Sequence, residues 1–149
     1  MTVLASTPGE LKRLLSHMSE EDAARPEASG KWSVRQVVQH LADGEIIWGW
    51  RMRMVLSHER PVITGYDQDA WAARMAYNDV PLAQSLADFD YIRGINLRLL
   101  SRIPPEDFDR VGVHAERGEE SVRHMTKMYA GHDTLHLRQV ERIKAVGGR

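Results

Sequence analysis

A chain of 149 residues with 42% hydrophobic and 28% charged side chains has the make-up of a single globular domain, residues 1–149, with enough apolar material for a proper core. Its net charge of −1 offers no basic field for nucleic acid or an anionic membrane, and no apolar run is as long as a membrane span. There is no cysteine, which excludes disulfides, thiolate ligands and a cysteine nucleophile, so any metal must be held by histidine, carboxylate and water.

Met1 to Ser6 has neither the charged nor the apolar part of a secretory signal, so a soluble, cytoplasmic protein is expected. Thr7-Pro8-Gly9-Glu10 has the form of a capping box, with Thr7 at the N-cap and Pro8 as the first helical residue. A first helix is therefore predicted to open there, with Leu11, Leu14, Leu15 and Met18 on one face. Ser19-Glu20-Glu21-Asp22 can cap a short second piece before Arg25-Pro26 and Ser29-Gly30 break the chain.

The next helix has a well-marked start. Ser33 and Gln36 form a capping box, and Trp32 can close over Val37 as a hydrophobic staple. Val34, Val37, Val38, Leu41, Trp48, Met52 and Val55 recur at helical spacing to about Ser57. His40 lies at the edge of this stripe, with Gly44 one turn later on the same side. Glycine there leaves room for an ion, water or ligand, or else allows a close helix–helix approach. Asp43 could orient an imidazole or act as a base, or simply face solvent.

Pro61 to Tyr66 reads as an extended connector with a turn at Gly65, and Asp67 can cap a short helix carrying Trp71. A third long helix is predicted from Pro81, as its first residue, to the stop at Pro104-Pro105. Its inner stripe of Leu82, Leu86, Phe89, Leu97, Leu100 and Ile103 is interrupted by Arg93 and Asn96. A guanidinium among leucines needs an anion: Arg93 is either a buried structural pair or, with Asn96, the lining of a cleft for an anionic substrate or cofactor. Asp109 to Ser121 is short and polar, a small hairpin or irregular connector turning at Arg117-Gly118, with His114 at the mouth of the bundle.

The last helix, from about Ser121 to Val146, carries the most informative pattern. Val122, Met125, Tyr129, His132, His136, Val140 and Ile143 share one face, so two imidazoles one turn apart point into the interior. Such a pair is either a two-point clamp for a divalent metal or a pair of core histidines satisfied by polar partners. Four long amphipathic helices without a convincing strand pattern make an all-α four-helix bundle. In a bundle, His40 from the facing helix can join His132 and His136 and leave a fourth position open for chemistry. His17, His58 and His124 fall at helix ends or off the stripe.

The order and spacing of Lys31-Trp32-Ser33-Val34-Arg35-Gln36, His40-Leu41-Ala42-Asp43, Pro61 to Trp71, His114 to Glu119 and His132 to Val140 resemble the DinB/YfiT-like superfamily of metalloenzymes, its YfiT-like branch most closely. The resemblance covers nearly the whole chain. It implies a four-helix bundle, commonly a homodimer, that binds nickel, zinc or a similar divalent ion through His40, His132 and His136. Leu135 departs from it, standing where many relatives carry a further histidine. The activities it implies are transfer of a low-molecular-weight thiol cofactor to a small electrophile, isomerisation with such a thiol, or metal-dependent hydrolysis. A metal-binding protein without turnover is a third class. The expected partner is a small molecule, with Asp43 and Arg93 as catalytic candidates and Arg93 and Asn96 as cofactor contacts.

Overall fold

The computed structural model describes residues 2–147. Helices α1 (Thr2–Leu15), α2 (Glu20–Ala24), α3 (Val34–Ser57), α4 (Gln68–Arg74), α5 (Leu82–Leu100) and α6 (Val122–Gly147) carry most of them. The four long helices build the bundle: α1 and α3 each pack against both α5 and α6. α3 begins as its sequence predicts, with the Ser33 hydroxyl accepting from the Gln36 N–H and the Gln36 side chain accepting from the Ser33 N–H at 2.9 Å. Asp67 caps α4 in the same manner through the N–H groups of Asp69 and Ala70.

Two helix starts differ from expectation. α1 opens at Thr2, not at Thr7, and contains Pro8. Thr7 is buried inside the helix, and its hydroxyl donates back to the Val3 carbonyl at 2.8 Å. Proline at position 8 has no N–H for the carbonyl of Leu4, which would normally be a serious loss in a helix interior. That carbonyl instead accepts from the Arg93 guanidinium at 2.6 Å, so a side chain from α5 completes the helix. Pro81 is the residue before α5 rather than its first, and the Leu82 N–H is taken by the Glu20 carboxylate, whose pKa this bond lowers.

The connector and the hairpin join into one small sheet. β1 (Val62–Ile63) runs parallel to β2 (Val111–His114), and β2 pairs antiparallel with β3 (Gly118–Ser121) with Val111 opposite Ser121. Gly118 turns the hairpin at φ +79, a conformation most side chains resist. Gly112 is fixed by packing, because a Cβ there would overlap Ile63 and Val55.

Two apolar clusters fill the bundle. One gathers Leu11, Leu15, Val37, Val38, Leu41, Phe89 and Val140; the other gathers Leu4, Trp48, Met52, Leu100, Met125 and Tyr129. Between them, on all four helices, lies a polar layer that contains the candidate site.

Candidate metal centre

His132 and His136 stand one turn apart on α6, and His40 faces them from α3. The His132 Nε2 lies 3.0 Å from the His40 Nε2 and 3.1 Å from the His136 Nε2. Burial pushes His40 and His132 down to about 3 and lowers His136 as well, so all three rings are neutral at pH 7. The His136 Nδ1 lies 2.8 Å from the Gln139 side-chain oxygen, which can only accept. The proton therefore sits on Nδ1, and the His136 Nε2 lone pair points into the cluster.

These rings fit a divalent ion. Tetrahedral ligation with bonds of about 2.0–2.1 Å separates ligand nitrogens by roughly 3.3 Å, close to the two separations here. Without an ion, the cluster is short of protons: only one N–H···N bond can be made through the His132 Nε2, and its Nδ1 is buried with no partner. Trp32 and His40 pack edge to face at 5.0 Å and Tyr129 tilts against His132 at 5.8 Å, which limits how far either imidazole can turn.

A cleft of about 600 Å³ leads to this cluster, lined by His40, Gly44, His132, Tyr129, Arg51 and Tyr66 among others. Gly44 serves space rather than helix approach. A Cβ there would meet only the His132 ring, at 3.9 Å. The close approach of α3 to α5 occurs at Gly49, where a Cβ would overlap the Asn96 carboxamide.

Arg93 and Asn96 are not among the residues that line the cleft, and of the two roles expected for Arg93 the structure shows the buried pair. Arg93 is the hub of a buried network, donating to both Asp133 oxygens at 2.6 and 2.9 Å, to Glu45 at 2.8 Å and to the Leu4 carbonyl. Asn96 donates to the Glu45 carboxylate at 3.0 Å and to the Glu45 backbone carbonyl at 2.9 Å. Burial raises the Glu45 pKa against the pull of Arg93, while Asp133 and Glu45 hold the guanidinium charged despite its burial. One arginine thus ties α1, α3, α5 and α6 together beside His132, the neighbour of Asp133.

Asp43 is likewise turned to another task. Its carboxylate accepts from the Tyr77 hydroxyl and from the Gln39 amide at 3.1 Å, and no imidazole bonds to it. His17, His58 and His124 are exposed as expected. His114 is 1% exposed, with its Nδ1 accepting from the Glu116 N–H at 3.2 Å, and it is not among the cleft residues. Arg51, Glu116 and Arg117 also line the cleft, and no motif in the sequence marks them as site residues. Arg51 falls eleven residues after His40, three helical turns along the same face, and that spacing was the available signal.

An all-α bundle whose facing helices bring three neutral imidazoles together at the end of a cleft belongs to the class of helical-bundle metalloproteins. Residues 4–140 match the model of the DinB superfamily, and the chain belongs to that family. It is 32% identical over 133 residues to a candidate metal-dependent hydrolase of Oceanobacillus iheyensis, covering 89% of this chain and 77% of that one. It is 28% identical over 142 residues to YfiT of Bacillus subtilis, also named as a candidate metal-dependent hydrolase, covering 95% and 80%. The solved structure of that YfiT, described as a probable metal-dependent hydrolase with an unusual four-helix bundle topology, superposes with a TM-score of 0.91. The superposition covers 99% of this chain and 85% of YfiT at 27% identity.

Proposed function

We propose that the protein is a divalent-metal-dependent enzyme in which His40, His132 and His136 hold the ion and the cleft admits a thiol cofactor and a small electrophile. The convergence of three lone pairs at the cleft carries this reading. A divalent ion, zinc or nickel by donor type, would supply Lewis acidity that lowers the pKa of a thiol or water presented to it. The residues do the rest. Gln139 holds the His136 tautomer, Trp32 and Tyr129 hold ring orientation, and the Arg93 network holds the helices that carry the three imidazoles. Gly44 keeps the approach to His132 open.

Thiol transfer is favoured over hydrolysis because, among the described residues, no carboxylate joins the histidine cluster as a base. A thiol needs less help to ionise than water does. Hydrolysis is the second reading, supported by the names of the relatives and by Glu116, a carboxylate in the cleft. Titration of low-molecular-weight thiols at fixed metal content separates them. A transferase accelerates with added thiol and stops on chelation. A hydrolase turns over ester or amide substrates without thiol, and its rate is unchanged or depressed by every thiol supplied.

A further inference from the structure

Among the described residues, the other buried charges have partners of opposite sign: Arg93 has Glu45 and Asp133, and Glu120 has Arg117. Arg51 differs. It is 6% exposed, yet among the described residues it forms no ion pair. One Nη donates to the Thr64 carbonyl at 2.6 Å, and the Nε is buried without a partner. A neutral carbonyl does not compensate a guanidinium withdrawn from water, and a buried cation left in this state is unfavourable.

The position of Arg51 gives that charge a use. It lines the same cleft as His40 and His132. Gly44, the level of α3 that His132 covers, precedes Arg51 by seven residues, a rise of about 10 Å along the helix. The two carboxylates of the cleft leave it free: Asp67 is bound to the N–H groups of Asp69 and Ala70, and Glu116 lies against Gly65 without pairing to Arg51.

We propose that Arg51 is the anchor for an anionic group, a carboxylate or a phosphate, on the small molecule that enters this cleft. The inference rests on reading the cleft as the substrate or cofactor site, and it narrows that site's ligand to an anion with its reacting group up to about 10 Å from its charge. A planar guanidinium accepts either oxyanion through paired hydrogen bonds, and the restricted exposure of Arg51 shields the pair from salt. Anchoring at one end leaves the other end oriented toward the imidazoles.

The test uses protein carrying 15N-labelled arginine, with the Arg51 side-chain resonance assigned by its loss in Arg51→Met. Inorganic phosphate and succinate are titrated separately against chloride at matched ionic strength, into metal-loaded and chelator-treated protein. The expected result is a saturable shift at Arg51 in both forms, with at least tenfold weaker binding in Arg51→Met and partial recovery in Arg51→Lys. Saturation by phosphate alone assigns a phosphate, and by succinate alone a carboxylate. A response no larger than that to chloride overturns the proposal, as does a response confined to the loaded protein, where the anion would be sitting at the ion. If Arg51→Met does not fold, the loss of the resonance in Arg51→Lys assigns it and the wild-type titrations decide. If Arg51 responds but the protein never retains a metal, the subsite stands and the metal-dependent function fails.

Discussion

Replacing Arg93 with methionine removes the cation that joins four helices while keeping an apolar chain of similar length. Two carboxylates lose their partner: Asp133 is 0% exposed and Glu45 is 1% exposed. The Leu4 carbonyl, already deprived of a helical donor by Pro8, loses its substitute. Breaking a buried pair by removing one member costs about 3–5 kcal/mol, because the charge left behind stays buried. For a domain of this size each kcal/mol lowers Tm by about 2–4 °C, so a drop of about 6–20 °C is expected. Denaturant unfolding of wild type, Arg93→Met, Asp133→Asn and the double variant provides the assay. Asp133→Asn should be less damaging in the Arg93→Met background than in wild type, with a coupling of about 0.5–3 kcal/mol. A loss below about 1 kcal/mol, or strict additivity, would refute the account of Arg93 as the hub of the bundle.

Other expectations follow from single contacts. Gly44→Ala should be neutral or stabilising by up to about 1 kcal/mol, as the helix gains a better former and its methyl meets only the His132 ring, at ordinary contact distance. Gly49→Ala should instead cost about 1–3 kcal/mol, since its methyl overlaps Asn96; equal melting temperatures for the two variants would contradict this. Gln139→Leu should weaken metal affinity about 10–100-fold with the fold intact, because His136 loses the acceptor that sets its tautomer; chelator competition measures it. Burial lowers the pKa of His114, so the unfolded chain takes up a proton first and stability falls as pH drops below about 6.5, by at most about 1.4 kcal/mol per pH unit. The stability difference between wild type and His114→Gln should accordingly change over that window and stay constant above it.

What was legible in the sequence was local or periodic. The box at Ser33, the cap at Asp67, and the stripes of α3 and α6 depend on neighbours within a turn or two, and each formed as its residues indicate. The histidine cluster was reachable because two of its members share a helix face and the third lies on the inward edge of another. Features set by partners from distant segments were not legible. Pro8 reads as a helix start because nothing nearby announces that Arg93, on another helix, will satisfy the Leu4 carbonyl. Glu20 caps α5 from sixty-two residues away. The leucines around Arg93 announce that it needs an anion, but Glu45 and Asp133 arrive from two other helices, and with them the guanidinium is paired in the core. Arg51 carries no local sign of burial, because cationic residues in long helices usually face water.

Elemental analysis after exhaustive dialysis tests the central claim most directly. One divalent ion per chain is expected for the wild-type protein and for His17→Ala, His58→Ala and His124→Ala. His40→Ala, His132→Ala and His136→Ala should each lose most of it while keeping the helical circular dichroism of the wild type. Full metal content in folded His136→Ala would contradict the three-histidine centre.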